Sequence, residues 1–471
     1  MDHVSTIATP TYALPDIGSL FRLLMQLLLA TIFGRTMNKS KSMPSLEEYD
    51  IDSATGFFPP QSLAPLTGAF ELWERALEEA KKTLSLGSDK REDAMEKRTD
   101  GEAWRESVRS LPILDTECFE GDIRRQQRAH MVLAFLINFY VHSQPPASDP
   151  SPIHIPSCLA IPMVNVSRIL GTAPIMTFAD VVLWNWKPLD PELPLSSNNV
   201  GFMHHLSGTE AEHEFYVLSA KAEIRGIEML RIVDSYVHQK DTTSFVAVSK
   251  ISKDLTRLAA IIQELTEIIA RSRETVDPYI FYWHVRPWWN GSGASGPNAP
   301  KWIYDGVPDS DTLDLGGPSA GQSTVMHALD VFLDVDHKLQ KKRSPAPSNL
   351  NTKADKGFME RMRRYMPGKH QAFLVDFATI PISIRTLAER TPLLREPFDT
   401  AVLALKKFRD AHIRIVCLYV VSMSSTIPPG STEKSPREKK TGPARGTGGS
   451  ELSTLLKAGR DATNRTMLRG N

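Results

Sequence analysis

The chain lacks an excess of charge of either sign, because 55 lysines and arginines balance 55 aspartates and glutamates over 471 residues. A nucleic-acid-binding protein usually presents a basic surface, so the balance argues against a nucleic-acid partner. Cysteine is also scarce, with only Cys118, Cys158 and Cys417. Three scattered cysteines argue against a disulfide framework or a thiolate metal site, and they predict a reducing compartment, taken here as the cytoplasm.

Long apolar runs are missing as well. The one candidate extends from residue 20 to residue 33 and is interrupted by Arg22 and Gln26. A spanning helix needs about 20 predominantly apolar residues, so this run is too short to cross a bilayer. Residues 1–43 are predicted to form a disordered or loosely docked extension, and membrane contact or organelle targeting through 20–33 is kept as an alternative.

Alternating strand patterns are rare, whereas apolar residues recur at helical spacing through most of the chain. The clearest helical segments are 66–84, 123–142 and 251–269. One short apolar stretch between prolines, 158–164, is interpreted as a strand or an extended crossing segment. The fold class is therefore predicted to be mainly α with minor strand content.

Two domains suit a chain of this length. The polar, turn-rich stretch 196–212 is the best internal boundary, and we place the division between a smaller N-terminal domain, 44–205, and a larger C-terminal domain, 206–471. Residues 422–449 are rich in Pro, Gly, Ser, Lys and Thr, a composition that predicts a mobile loop.

His412 lies on the apolar stripe of the last strong helical pattern, together with Val402, Leu405 and Phe408. Its imidazole should therefore point inward and needs a partner. A backbone carbonyl is one such partner. The other is a metal, since a neutral imidazole in an apolar pocket can be an axial ligand of haem iron.

Eight segments occur in an order that resembles the indoleamine 2,3-dioxygenase family, haem enzymes that open the pyrrole ring of tryptophan. The resemblance covers roughly residues 44–460, and the glycine-serine loop, the MRRYMP string and the spaced histidine are its most specific parts. The segments are 49–57, 178–186, 215–219, 281–286, 316–323, 362–367, 408–416 and 445–449.

This resemblance implies a two-lobed fold in which the larger C-terminal domain holds haem b, ferrous in the active form. It implies insertion of both atoms of dioxygen across the indole C2–C3 bond of L-tryptophan, or of a related indoleamine, to give N-formylkynurenine for the kynurenine pathway. We also expect the enzyme to need a reductant, whose identity is open, and to be a monomer. The alternative is a haem-binding sensor or a low-activity paralogue with a narrowed pocket.

The resemblance also implies roles for individual residues, none of which is a general acid or base, because the cofactor carries the difficult step. His412 is the expected axial ligand of the iron. Residues expected near the haem are Arg409, which could reach a propionate, with Asp330, Ser319 and Ala320. Residues expected to contact the substrate are Arg286 for the carboxylate, the aromatic residues Phe178, Phe215, Phe281 and Tyr282, the hydroxyl of Ser219, and Thr447 in a closing loop.

Departures from the family pattern bear on the substrate. Pro318 interrupts a loop that usually reads Gly-Gly-Ser, and Trp288 and Trp289 stand where smaller residues are typical of the family. Pro318 could reshape the haem edge and the two indole rings could narrow the pocket, so substrate range and turnover stay open. His204, His205 and His213 lack the spacing of a zinc motif, and no metal is assigned to them.

Overall fold

The computed structural model describes residues 43–146, 151–294, 299–343, 357–431, 445–447 and 451–468. Residues 44–471 form one compact unit. The predictions for residues 1–42, including the apolar run 20–33, lie outside the described residues. The division at 205/206 stays a prediction.

The described part is mainly α-helical, as the apolar periodicity predicted. In the N-terminal half the helices are α1 (Glu71–Thr83), α2 (Glu92–Glu96), α3 (Arg98–Arg109), α4 (Ile123–His142) and α5 (Ser157–Leu170). From the predicted boundary onward they are α6 (Glu210–Val237), α7 (Phe245–Ala270), α8 (Ser272–Thr275), α9 (Pro278–Ile280), α10 (Thr324–Phe332), α11 (Phe358–Arg363), α12 (Gly368–Phe377), α13 (Ile384–Arg390), α14 (Pro392–Val416) and α15 (Leu452–Asn464).

Strands are short and few in the described ranges. β1 (Ile153–Ile155) pairs in parallel with β4 (Trp302–Tyr304), and β2 (Trp186–Lys187) pairs antiparallel with β3 (Gly201–Phe202). The β1–β4 pair joins two segments that lie about 150 positions apart in the chain, with His154 opposite Ile303. Strand content is therefore minor, as expected.

The prediction for residues 158–164 was wrong, because the segment belongs to helix α5. Pro162 lies inside this helix, although proline removes one backbone donor there. Helix α5 packs along α4, and this contact buries Leu159, Met163 and Val166. Burial of the apolar face by a neighbouring helix therefore outweighs the local preference of a proline-flanked apolar run.

Three helical segments of the described chain widen into π-helix, at Ala179–Leu183, Phe281–Val285 and Cys417–Ser422. A π-helix inserts extra residues into a turn and occurs often at functional sites. Two of these segments belong to the aromatic motifs of the sequence, and the third continues helix α14 after His412. The sequence pattern did not predict them.

Helix α14 is the structural axis of the C-terminal half. It packs most extensively along α7, whose apolar stripe includes Ile251, Leu255 and Leu258, and it also contacts α13 and α15. Helix α6 also packs against α7. Among the described residues, no helix is long and apolar enough to cross a membrane.

Candidate functional site

His412 lies near the C-terminal end of α14, five residues after Lys407 and five before the helix widens at Cys417. Burial chiefly, and the charge of Arg409 secondarily, lower the pKa of its imidazole to about 4. The ring is nevertheless only half-buried by surface area and forms no hydrogen bond within the described part of the chain. A neutral imidazole surrounded by protein, with its nitrogens unpaired, has the chemistry required of an axial ligand of haem iron.

Arg409 is anchored one helical turn before His412. Its guanidinium donates to Oδ1 of Asp330 on α10, and its other nitrogen donates to the carbonyl of Gly459 and the hydroxyl of Thr463 on α15. Asp330 also accepts a bond from His337, with Nε2 and Oδ2 2.8 Å apart. Burial alone would raise the pKa of Asp330, but the charges of Arg409 and His337 outweigh it and hold this pKa well below its usual value.

This network locks the helix that carries His412 to two neighbours. Asp330 therefore orients Arg409, a point that the sequence had left open. The bonds that the structure gives Arg409 all go to protein groups, so its expected contact with a haem propionate stays a prediction.

An aromatic wall forms where α6 meets the π-helix Phe281–Val285. The ring centroids of Phe215 and Phe281 are 5.0 Å apart, and Trp289 lies 5.1 Å from Phe215 and 5.7 Å from Phe281. Tyr419, on the π-helix that follows α14, meets Phe281 edge-on at 5.5 Å. Two of the expected substrate residues are thus adjacent, and Trp289 joins the wall as a packing partner.

Local sequence explains the position of this wall. Asp277 caps the turn Pro278–Ile280 through bonds to the backbone N–H groups of Tyr279 and Ile280, at 2.8 and 2.9 Å. The capped turn opens directly into the π-helix. Trp288, which the sequence singled out with Trp289, is held elsewhere: its carbonyl accepts a bond from Nδ2 of Asn138 at 2.8 Å, and its ring packs on Phe139.

Arg286 follows the π-helix and is surrounded by protein, so burial lowers the pKa of its guanidinium. Its Nη2 donates to the backbone carbonyl of Arg445, and its charge lies 5.6 Å from the ring centroid of Tyr282. No carboxylate of the described residues forms an ion pair with it. By surface area the side chain is half-buried, and a cation whose partners among the described residues are a carbonyl and a ring has the chemistry to bind an anion.

The glycine-serine loop packs against the turn that carries the wall. At Gly317 an added Cβ would lie 1.8 Å from the carbonyl oxygen of Trp289, so only glycine permits this approach. Pro318 is buried beside it, and Ser319 caps the short turn Ala320–Gln322 through its bond to Gly321 N at 3.2 Å. The proline thus fixes the backbone at the point where the loop turns along the site.

The last described part of the predicted closing loop, 445–447, docks on the glycine-serine loop and on Gly291. The hydroxyl of Thr447 donates to the carbonyl of Pro318 at 2.6 Å, and its own carbonyl accepts from the N–H of Gly291 at 3.2 Å. Together with the bond from Arg286 to Arg445, these contacts hold three segments at one place. Residues 432–444 and 448–449 of the predicted mobile loop lie outside the described residues, and its first residues, 422–425, are helical.

The remaining expected residues are placed separately. Phe178 is buried, and its N–H donates to Oε1 of Gln322 at 2.8 Å, which ties this motif to the glycine-serine loop. Ser219 is half-buried, and its hydroxyl donates to the carbonyl of Phe215 at 2.9 Å. Ala320 is exposed.

Sequence reasoning quoted the MRRYMP string but missed what it does. The hydroxyl of Tyr365 donates to Oδ1 of Asp314 at 2.6 Å and accepts from the N–H of Gly316 at 2.8 Å. Arg361 pairs with both carboxylate oxygens of Asp314. The string therefore supports the glycine-serine loop from behind, a relation that no spacing between residues 314 and 365 could have revealed.

The histidines without an assigned metal lie at the start of α6. Nε2 of His205 and Nδ1 of His213 are 3.4 Å apart, whereas His204 is buried between Phe135 and the side chains of Glu78 and Lys81. Over the ranges that the structure describes, no three His, Cys, Asp or Glu side chains are grouped to hold a metal ion. The absence of a metal here stays a prediction.

Comparison with known proteins gives one consistent result. A sequence model of the family described as "Indoleamine 2,3-dioxygenase" matches residues 45–466. The chain is 30% identical to "Indoleamine 2,3-dioxygenase 1" of Rattus norvegicus over 428 residues, which cover 90% of this chain and 96% of the relative. It is 31% identical to "Indoleamine 2,3-dioxygenase 2" of Homo sapiens, with 90% and 96% covered, and 27% identical to a protein named "Myoglobin" of Haliotis madaka, with 89% and 97% covered.

Proposed function

The chain belongs to the indoleamine 2,3-dioxygenase family, whose members are haem-dependent dioxygenases that act on tryptophan, and we propose that His412 holds the iron and Arg286 the substrate. The expected product is N-formylkynurenine. We take the cofactor to be haem b, ferrous when active, with His412 as its single protein ligand. The relative named myoglobin supports haem binding as a shared property.

The residues present suit this cofactor. His412 is neutral at physiological pH, so iron does not have to displace a proton from it. Its helix is fixed through Arg409 to α10 and α15, which keeps the imidazole from moving with side-chain fluctuations. When bound, haem supplies the iron at which dioxygen is activated for insertion across the indole C2–C3 bond.

The chain's own residues have the task of binding and orienting the substrate. We assign the amino-acid carboxylate to Arg286 and the indole ring to the wall of Phe215 and Phe281, which offers flat apolar faces. Phe178 and Tyr282 are assigned to the same enclosure, with Ser319 and Ala320 on the loop above. Ser219 is assigned to tuning hydrogen bonding beside the reacting atoms, and Thr447 to the substrate head group when the loop closes.

One observation carries this proposal: Arg286 is half-buried by surface area, surrounded by enough protein to lower the pKa of its guanidinium, and without an acidic partner in the described part of the chain, beside Tyr282 and the π-helix that carries Phe281. A charge is rarely buried without compensation, and the carboxylate of an amino acid would supply it. A flat apolar surface beside that cation suits an aromatic amino acid. The alternative of a haem sensor or a low-activity paralogue is not favoured, because dioxygenase-named relatives match nearly the whole chain.

Absorption spectroscopy of the purified, haem-loaded protein, with and without L-tryptophan, tests the proposal together with a product assay. We expect a five-coordinate haem spectrum that tryptophan perturbs, and formation of N-formylkynurenine under dioxygen with a chemical reductant. Haem binding without a tryptophan response and without product would refute the enzyme and favour the sensor. We also propose a monomer in the cytoplasm, which sedimentation and fractionation would check.

A further inference from the structure

Glu223 is a buried acid in the interface between α6 and α10 that no role in the proposed mechanism uses. It lies one helical turn after Ser219, and its Oε1 accepts a bond from the hydroxyl of Ser323 at 2.5 Å. Ser323 caps α10 and ends the glycine-serine loop. The side chain is 5% exposed, and its second oxygen, Oε2, has no hydrogen-bond partner among the described residues.

Helices α6 and α10 pack closely around Glu223, so separating them would cost free energy. Three residues after Glu223, an added Cβ on Gly226 would lie 2.6 Å from a methyl group of Val325, so α6 and α10 are in close contact there. The Glu223–Ser323 bond is therefore the polar link of a tightly packed joint. On one side of the joint is the helix that carries Phe215 and Ser219, and on the other is the loop that carries Ser319.

Charged groups on the neighbouring elements are engaged elsewhere. On α6, Arg225 pairs with Glu264, and Glu228 pairs with Arg257. On α10, His327 contacts the carbonyl of Gly321 and Arg363 of α11, while Asp330 binds Arg409 and His337. Desolvation consequently dominates at Glu223 and raises its pKa to about 7, with the Ser323 bond acting in the opposite direction.

We propose that Glu223 is a positioning residue of the dioxygenase site, which as a neutral carboxyl group fixes helix α6 to the glycine-serine loop through Ser323. Loss of its proton would place an unpaired charge in an apolar joint, and the joint would loosen to admit water. Phe215, Ser219 and the loop would then no longer hold their relative positions. The inference rests on the proposed function, because activity is its main readout.

The test compares kcat/KM for L-tryptophan in haem-loaded wild type and Glu223→Gln from about pH 6 to about pH 8. If only the protonated form is competent, the wild-type value should fall about tenfold over this range, since the protonated fraction falls from about nine-tenths to about one-tenth. Glu223→Gln keeps an uncharged acceptor for Ser323, so it should retain most of the low-pH activity and show a flat profile. Glu228→Gln, on the exposed side of the same helix, is the matched control and should follow the wild type.

Ser323→Ala should shift the midpoint of the pH profile upward, a change that a purely structural role of Glu223 would not produce. The hydroxyl stabilises the ionised carboxylate, so its removal should shift the descending limb of the profile to higher pH. If Glu223→Gln keeps the wild-type slope, or if Ser323→Ala shifts the midpoint downward, the proposal is wrong. Inactivity of a folded, haem-loaded Glu223→Gln at low pH would equally overturn it, because a neutral amide should suffice.

Infrared difference spectroscopy of the same holoproteins separates this inference from the proposed function. A carboxylic acid band that is lost with rising pH in the wild type and absent from Glu223→Gln would establish the buried proton, whether or not tryptophan is turned over. Failure to find the band overturns the inference alone. A wild type that is inactive at every pH, but shows the band, contradicts the proposed function instead.

Discussion

Replacement of Arg286 by alanine should weaken tryptophan turnover strongly and selectively. The guanidinium has a backbone carbonyl and the Tyr282 ring as partners, and no acid of the described residues neutralises it. Burial disfavours its charge, so the free enzyme holds the cation at a cost. A substrate carboxylate would remove that cost and add a bidentate, charge-assisted pair.

The size of the effect follows from that pair. Hydrogen bonds to charged groups contribute about 1.5–3 kcal/mol each, and we expect a total loss of roughly 2–4 kcal/mol in transition-state binding. At about 1.4 kcal/mol per factor of ten, kcat/KM for L-tryptophan should fall by about 30-fold to several hundred-fold. Haem absorption should change little, because the variant leaves His412 and its helix untouched.

The decisive assay uses two substrates, L-tryptophan and tryptamine, which lacks the carboxylate. If Arg286 binds the carboxylate, Arg286→Ala should depress kcat/KM for tryptophan and leave the lower value for tryptamine almost unchanged. Arg75→Ala, which removes an exposed arginine of α1, is the control and should alter neither. An equal loss for both substrates would refute the reasoning, since it would mean that Arg286 supports the structure and does not recognise the acid.

Three further outcomes are expected. His412→Ala should lose haem and activity while the apoprotein still folds, so that thermal stability falls only by the linkage to haem binding, whereas the exposed His154→Ala should bind haem normally. Burial lowers the pKa of His327 and His370 to about 4, whereas in the unfolded chain both histidines take up protons near the usual pKa of about 6.5. The unfolded chain therefore binds more protons as the pH falls, and each histidine should lower the free energy of unfolding by about 2 kcal/mol between about pH 7 and about pH 5. Urea titration at the two pH values measures this loss. Trypsin should cut the predicted mobile loop at Arg437, Lys439 or Lys440, and saturating tryptophan should slow the cleavage. If the cleavage rate is the same with and without tryptophan, and Thr447→Ala keeps full activity, the loop is a passive connection.

Helices were predictable where local signals and packing agree. The segment 123–142 was predicted to be helical and is helix α4, whose first turn is capped by Asp122 through Arg125 N at 3.1 Å. In the segment 66–84 the α-helix starts only at Glu71, after a 3-10 turn at Gly68–Phe70, because Thr67 has an extended backbone and Gly68 a positive φ. Residues 158–164 were mispredicted because the burial of α5 on α4 depends on a partner that the local pattern does not contain.

The candidate site likewise could be predicted only where its chemistry depends on single residues. Family motifs identified the residue types, including the cation at Arg286 and the imidazole at His412, since these follow from the residues themselves. They contain Tyr365 and Gln322, but they did not reveal that these two residues, together with Asp314, hold the glycine-serine loop in place. Their partners are 49 positions away for Gly316–Tyr365 and 144 for Phe178–Gln322, and such contacts exist only once the helices are packed.

Arg409 shows why a matching residue does not by itself define a role. The resemblance implies that its guanidinium reaches a haem propionate, which stays a prediction, and the structure adds bonds from its nitrogens to Asp330, Gly459 and Thr463. Two of these partners belong to α15, which follows the predicted closing loop, and the third is on the helix that follows the glycine-serine loop. The turn that carries His412 is therefore coupled through one arginine to the helices that follow the two segments proposed to enclose the substrate, so loosening either helix should be felt at His412 as well as in the proposed pocket.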